Sequence, residues 1–127
     1  MGYMKAHTIV VESWDEDAIK AAHAKAVSLF HVPAGGSWPV AYVSEITGKT
    51  VNRHRAFFVA PDGSKEEWDH SNIGDNARKE FREWLRSKAY DDGSTSLRWV
   101  EVMFADDEGQ CAIVDHDAAE ANGVIVQ

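Results

Sequence analysis

Hydrophobic and polar residues alternate in the first part of the chain with the spacing of a strand followed by a helix. The segment His7–Glu12 holds an unbroken apolar run, which predicts a buried strand. Ser13 and Glu16 then stand at the spacing of a capping box, in which each side chain accepts a hydrogen bond from the backbone N–H of the other. From Asp15 to about Phe30, apolar residues recur at helical spacing. The pattern therefore predicts a first helix capped by Ser13.

Two strands joined by a tight turn are predicted in the middle of the chain. Val40–Thr47 and Thr50–Ala60 have the apolar and β-branched content of strands, and Gly48-Lys49 between them is a connection typical of a hairpin. Pro61-Asp62-Gly63 ends the second strand, because proline cannot donate to a strand ladder and Asp-Gly favours a turn. A polar loop follows.

A second amphipathic helix and two further strands are predicted after this loop. Ser71–Asp75 offers several N-cap residues, and the stretch from there to Ala89 places its apolar side chains on one face. Leu97–Phe104 and Cys111–Val114 are apolar enough for strands, with a turn at Asp106–Gly109 between them.

The order of these elements predicts an α+β fold. Two strand–helix–strand units around a central hairpin give the ferredoxin-like βαββαβ order, here with an extra C-terminal strand. Right-handed crossovers then put both helices on one face of an antiparallel or mixed sheet. A different α+β arrangement of the same elements remains open. The length predicts a single domain over residues 1–127, in which residues from about 118 form either a frayed tail or a short last strand at Val124–Val126.

Acidic residues are concentrated in the second half of the chain. The net charge is −8; residues 1–60 carry six basic and five acidic residues, whereas residues 61–127 carry seven basic and sixteen acidic ones. An acidic surface repels phosphate backbones, so the composition argues against direct nucleic-acid binding. A basic partner protein fits this charge better, although acidic residues also serve solubility alone.

Chemistry-bearing side chains cluster between the third predicted strand and the second helix. The candidate binding surface consists of Asp62, Lys65, Glu66, Trp68, Asp69, His70 and Asp75. A tryptophan in a loop of charges either folds onto the core or stays exposed as a binding anchor. The set Asp62, Asp69, His70 and Asp75 also suggests a divalent-metal site, but its spacing matches no known ligand motif. Acidic residues before a helix are equally explained by capping and by the helix dipole.

The same region carries a resemblance to a known family. The phrase from Phe57 to Ser71, continued by Gly74–Arg78 and echoed at Asp92-Gly93-Ser94 and Trp99–Val102, resembles a family of small uncharacterised proteins encoded by bacteriophages and prophages. The likeness covers roughly residues 55 to 105. It implies a phage or prophage origin and no particular activity.

Cysteine content and hydropathy bear on the compartment. Cys111 is the single cysteine, so it has no partner for an internal disulfide, and its predicted strand suggests a small buried hydrophobe. No apolar stretch approaches the length of about 20 residues that crosses a bilayer. Together with the resemblance, these features predict the cytoplasm of a bacterial host and no membrane association.

Three functions follow as hypotheses. The leading one is a non-enzymatic accessory protein that binds a host or phage protein through the loop between Asp62 and Asp75, with no cofactor. The second is a divalent-metal-dependent hydrolase or nuclease that uses the carboxylates and imidazole of the same loop. The third is self-assembly into a homo-oligomer through a sheet edge or an open sheet face.

Overall fold

A computed structural model of the chain describes residues 5–65, 67–105 and 111–117. Its regular elements are β1 (Lys5–Ser13), α1 (Glu16–Leu29), β2 (Arg55–Val59), α2 (Asp69–Ser87), β3 (Arg98–Ala105) and β4 (Cys111–His116). The four strands form one antiparallel sheet, which confirms the prediction of an α+β protein. The predicted turn Asp106–Gly109 and both alternatives for residues 118–127 lie outside the described residues.

The first strand lies inside the sheet, whose strand order is β2-β1-β3-β4. Ile9 of β1 lies opposite Val59 of β2 and Glu101 of β3, and all three side chains are buried. The next residue, Val10, lies opposite Phe58, and both are exposed. Because successive side chains along a strand point to opposite faces, one face of the sheet carries the core and the other faces away from it.

The first helix is capped by Asp15 and not by Ser13. The Asp15 side chain accepts hydrogen bonds from the backbone N–H groups of Asp17 (3.0 Å) and Ala18 (3.2 Å). Ser13 is the last residue of β1 and pairs with Arg55 of β2, so its backbone belongs to the sheet. The predicted helix is present, but the predicted cap is wrong because strand pairing extends one residue further than the apolar run.

The tight turn of the hairpin lies at Asn52 and Arg53, and the prediction of Gly48-Lys49 is wrong. Asn52 (φ 59°) and Arg53 (φ 65°) both have a left-handed backbone. The N–H of Thr50 donates to the carbonyl of His54 at 3.0 Å and closes the turn. Asparagine enters the left-handed region more readily than most other residues, so this turn forms without glycine.

The predicted strand Val40–Thr47 is not a regular strand, although it runs antiparallel to β2. The N–H groups of Ser44 and Thr47 donate to the carbonyls of Phe58 (2.9 Å) and Ala56 (2.8 Å). In return, the N–H groups of Phe58 and Ala56 donate to the hydroxyls of Ser44 and Thr47. The segment advances three residues while β2 advances two, so side-chain oxygens replace the carbonyls of a regular ladder.

The second helix begins at Asp69, which is earlier than predicted. Trp68 is the N-cap residue, and its carbonyl accepts hydrogen bonds from the N–H groups of Ser71 (3.0 Å) and Asn72 (3.2 Å). The N-cap candidates predicted within Ser71–Asp75 therefore lie inside the first turns of α2. A helix can begin on the backbone carbonyl alone, and Trp68 makes no side-chain cap.

Both helices and the inward-facing residues of three strands share one core. The two helices meet where the rings of Phe30 and Phe81 pack edge to face, with centroids 6.1 Å apart. The buried apolar residues are Ile9, Val11, Ile19, Ala22, Ala26, Phe30, Val40, Ala41, Phe57, Val59, Phe81, Leu85, Leu97 and Trp99. Neither of the described helices is long and apolar enough to cross a membrane.

A buried ion network fastens α2 to the sheet. The carboxylate of Glu101, which is 1% exposed, accepts hydrogen bonds from His7 Nδ1 (2.8 Å) and from the Arg82 guanidinium (2.5 Å). Burial alone would raise the pKa of Glu101, but the His7 hydrogen bond and the Arg82 charge outweigh it and lower the pKa. Arg82 and Arg86 also pair with Asp115 of β4. The hydrophobic pattern gave no signal for this network.

The middle of the outer face of the sheet is apolar, and no element among the described residues covers it. The exposed apolar side chains here include Val10, Phe58, Phe104 and Ile113. Cys111 is exposed and lies opposite Phe104, so the expectation that it is buried is wrong. The thiol lies at the first residue of β4, on the face that the helices leave open.

Replacement of Phe81 by Ala tests the core. The ring is fully buried, so Phe81→Ala should lower the free energy of unfolding by about 3–5 kcal/mol. The matched control is Phe104→Ala on the open face, where the loss should be no more than about 1 kcal/mol. Urea denaturation followed by circular dichroism measures both. Equal losses for the two variants would contradict the assignment of faces.

Candidate functional site

A buried carboxylate holds the loop between β2 and α2. Asp62 accepts hydrogen bonds from the N–H (2.9 Å) and the hydroxyl (2.6 Å) of Ser64, and from the Arg78 guanidinium (3.0 Å). The side chains of Asp62 and Arg78 are only 7% and 4% exposed. Arg78 also pairs with Asp75, one turn earlier on α2. The loop is therefore attached to the helix by an ion pair that is largely shielded from water.

The environment of Asp62 favours its ionised form. Burial alone would raise the pKa of this carboxyl, because a low-dielectric surrounding penalises charge. The hydrogen bonds from Ser64 and the positive charge of Arg78 outweigh burial, and the pKa lies below its usual value. Asp62 is therefore a carboxylate at neutral pH, and its negative charge is already paired with Arg78.

Gly74 makes the close approach of the loop to the helix possible. A Cβ atom at this position would overlap the Oδ2 atom of Asp62 and would press on the Arg78 guanidinium. Only glycine leaves room for the carboxylate against the helix at this point. The glycine at position 74 is thus explained by a packing requirement.

A second contact attaches residues 38–42, which follow α1 in the chain, to the second helix. The Nε2 atom of His70 donates a hydrogen bond to the carbonyl of Val40 at 3.2 Å. The N–H groups of Val40 and Ala41 donate in turn to the carbonyls of His31 (3.2 Å) and Phe30 (3.4 Å) at the end of α1. Residues 38–42 are thereby held beside the loop that Asp62 fixes.

These two segments enclose an aromatic cleft with a volume of about 400 Å³, within the range of about 300–1,000 Å³ typical of ligand sites. Three large rings at the cleft are strongly exposed: Trp38 (72%), Tyr42 (68%) and Trp68 (53%). Among the described residues, the lining consists of Trp38, Pro39, Ala41, Tyr42, Pro61, Asp62, Gly63, Ser64, Trp68 and His70. We refer to this site as the aromatic cleft.

Charged side chains lie around Trp68. The Nζ atom of Lys65 lies 5.8 Å from the centre of the Trp68 ring, within reach of a cation–π interaction. Glu67 has a left-handed backbone (φ 75°), which is uncommon for a residue with a side chain. Glu67 and Asp69 are both exposed on either side of Trp68. The region beside this ring therefore combines one cation with two carboxylates.

The structure separates the predicted surface into parts. Asp62 and Asp75 meet at Arg78, whereas Trp68 and His70 reach the aromatic cleft. Lys65 lies over Trp68, and Asp69 occupies the first turn of α2. Glu66 lies outside the described residues.

Half of the aromatic cleft was missed by sequence reasoning. Tyr42 lies in the predicted strand Val40–Thr47, and Trp38 and Pro39 precede that strand without belonging to any predicted element or site. The signal that could have found them is the pair of aromatic residues around a proline directly after the glycines at 35 and 36. Because these residues are far from Trp68 in the sequence, the sequence gives no sign that they share a site with it.

The proposed metal ligands are not assembled. Among the residues that the structure describes, no group of three or more His, Cys, Asp or Glu side chains could hold a metal ion. Asp62 and Asp75 are bound to Arg78, and His70 donates to the carbonyl of Val40. Three of the four potential ligands therefore already have a structural partner, and the fourth, Asp69, is exposed in the first turn of α2.

Comparison with known proteins gives no match to a family model, to a curated protein or to a solved structure.

Replacement of Gly74 by Ala tests the contact between the loop and the helix. The new methyl group would displace the Asp62 carboxylate, so Gly74→Ala should lower the free energy of unfolding by about 1–3 kcal/mol, although alanine is intrinsically the better helix former. Gly48→Ala is the matched control, because a Cβ there meets no atom within 4 Å; it should be neutral or stabilising by up to about 1 kcal/mol. Thermal and urea denaturation measure both. A stabilised Gly74→Ala variant would refute the contact.

Proposed function

We propose that the protein is a non-enzymatic accessory protein of a phage or prophage, and that it binds a host or phage protein through the aromatic cleft. The observation that carries the proposal is the exposure of Trp38, Tyr42 and Trp68 around one concave site. The sequence resemblance supports the phage origin and, with it, the cytoplasm of a bacterial host.

Exposed aromatic rings around a cleft are typical of binding anchors. Each ring offers a large apolar area with few rotatable bonds, so little conformational entropy is lost when a partner covers it. Tryptophan and tyrosine are also enriched among the residues that dominate binding energies at interfaces. Single apolar side chains are common on protein surfaces, but three large exposed rings at one site are typical of an interaction surface.

The carboxylate and imidazole groups of the aromatic cleft favour a role in binding over a role in catalysis, because they already have hydrogen-bond partners. A general acid, base or nucleophile must be able to reach a substrate. Asp62 is bound to Ser64 and Arg78, and the Nε2 atom of His70 is bound to the carbonyl of Val40. These bonds position the walls of the cleft. The alternative of a metal-dependent hydrolase or nuclease has no comparable support.

Charge favours a protein partner over nucleic acid. The chain has a net charge of −8, and the carboxylates of Glu67 and Asp69 are exposed beside Trp68. A phosphate backbone would be repelled by this surface, whereas a basic segment would be attracted.

We also propose that the fold is a variant of the ferredoxin-like arrangement. If the irregular segment 42–47 is counted as an edge strand beside β2, the order along the sheet becomes that segment, β2, β1, β3 and β4. The hydrogen bonds of Ser44 and Thr47 to β2 support this interpretation. It corresponds to the βαββαβ order with one additional strand at the opposite edge.

Affinity capture tests the binding function. The full-length chain would be immobilised and exposed to lysates of uninfected and phage-infected bacteria, with Trp38→Ala and Trp68→Ala as cleft variants. The matched control is Trp14→Ala, because Trp14 is also exposed but does not line the cleft. We expect proteins that the wild type and Trp14→Ala retain and that both cleft variants lose. If folded cleft variants retain the same proteins, the proposal fails.

A second function, self-association, is favoured by the open apolar face of the sheet. Val10, Phe58 and Phe104 are exposed there, and the pairs along the middle of this face, such as Thr8 with Val102, are uncharged. Contact through uncharged residues places no like charges directly opposite each other, although the net charges of the two molecules still repel. A two-fold axis would bring the same patch of both copies together.

Light scattering over a range of concentrations tests self-association. We expect the mass of a dimer at high concentration and the mass of a monomer for Phe58→Ser. Tyr42→Ser, which changes an exposed ring of the aromatic cleft, is the control and should leave the dimer intact. A monomer at every concentration of the wild type would exclude this function.

A further inference from the structure

We infer that the aromatic cleft binds a proline-containing segment in the polyproline II conformation, flanked by a basic residue. This inference rests on the proposed binding function and specifies the chemistry of the partner. It follows from the hydrogen-bond donors at the exposed rings, from the lack of an unoccupied carboxylate among the described lining residues, and from the exposed carboxylates next to Trp68.

The exposed rings of the cleft present hydrogen-bond donors at their tips. The indole N–H groups of Trp38 and Trp68 and the phenol of Tyr42 make no hydrogen bond to another group within the described part of the chain. An indole N–H can only donate, and a phenol donates readily. The walls of the cleft therefore combine flat apolar faces with three available donors.

A polyproline II segment complements these walls. Proline has no backbone N–H, and the polyproline II helix makes no internal hydrogen bonds, so its carbonyl oxygens are free acceptors. Its pyrrolidine rings are apolar and fit between aromatic side chains, and the segment is already ordered before it binds. The cleft thus supplies hydrogen-bond donors and aromatic faces, and the proline segment supplies carbonyl acceptors and apolar rings. Because proline has no N–H, the segment needs few acceptors from the cleft.

Other ligands match the cleft less well. A quaternary ammonium ion binds over the face of an aromatic ring, and the Nζ atom of Lys65, 5.8 Å from the centre of the Trp68 ring, disfavours a second cation over that face. A sugar would present many hydroxyl groups that both donate and accept hydrogen bonds, and three donors at the ring edges would satisfy only part of them. Among the described lining residues, the one carboxylate is Asp62, and it already accepts hydrogen bonds from Ser64 and Arg78.

The charges beside the cleft indicate a basic flanking residue. Glu67 and Asp69 are exposed on both sides of Trp68, and neither has an ion-pair partner within the described residues. An arginine or lysine next to the proline segment would pair with these carboxylates. Such an ion pair at an exposed position affects the specificity and the rate of association more than the affinity.

Nuclear magnetic resonance of the full-length chain tests the inference directly. The probe is an oligoproline peptide that ends in arginine, and the control peptide has glycine and serine in place of proline. The indole N–H signals of Trp38 and Trp68 should shift and saturate with the oligoproline peptide only, while that of Trp14 stays unchanged. No shift at millimolar oligoproline, or equal shifts with the control peptide, would overturn the inference.

Variants separate the roles of the ring and the donor. Trp38→Ala should weaken the affinity for the oligoproline peptide by about thirtyfold, the size of a dominant interface anchor. Tyr42→Phe keeps the ring and removes one donor, so a loss of about fivefold is expected. Unchanged affinity in Tyr42→Phe would overturn the hydrogen-bonding argument. Tighter binding of a peptide that ends in glutamate instead of arginine would overturn the charge argument.

Further outcomes distinguish this inference from the function on which it rests. If tetramethylammonium shifts the two indole signals and oligoproline does not, the cleft is a cation site and the inference fails. If the cleft variants lose a captured protein but oligoproline does not compete for it, the proposed function stands and the inference fails. If the cleft variants retain every captured protein, both fail.

Discussion

The buried ion pair between Asp62 and Arg78 is the constraint on which the aromatic cleft depends. Removing one partner of such a pair leaves an uncompensated charge, which costs about 3–5 kcal/mol. The pair forms only because Gly74 lets the carboxylate approach the helix, and the hydroxyl and N–H of Ser64 complete its hydrogen bonds. Asp62 and Ser64 are therefore attached to α2 without any partner, and Trp68 lies at the N-cap of the same helix.

The two walls of the cleft come from distant parts of the sequence and are held by the core. Phe30 and Phe81 join the helices, and the hydrogen bond from His70 to Val40 joins the second helix to the segment that carries Trp38 and Tyr42. A site built in this way loses little conformational entropy on binding, because its backbone is already ordered. The same core leaves the outer face of the sheet open, so the molecule has two apolar surfaces of different character, one concave and aromatic, the other broad and largely aliphatic.

The sequence predicted both helices, the strands of the sheet and the loop that contains Asp62 and Trp68, because these depend on local periodicity and turn residues. It failed where a non-local contact decides the local structure. Strand pairing with Arg55 keeps Ser13 in the sheet, so the cap passes to Asp15. The pairing of Asp62 and Asp75 with Arg78 is likewise a contact between separate parts of the chain that the charge pattern does not reveal. Trp38 could not be linked to Trp68, because only the packing of α1 against α2 brings them to one cleft.

Titration of the Asp62 carboxyl group tests the central claim most directly. The side-chain carbon signal of Asp62 in the full-length chain would be followed by nuclear magnetic resonance as the pH is lowered. The buried pair with Arg78 and the hydrogen bonds from Ser64 predict a midpoint below the ordinary aspartate value of about 3.9. A midpoint at or above that value would mean that Arg78 and Ser64 do not hold the carboxylate, and that the cleft is not built as described.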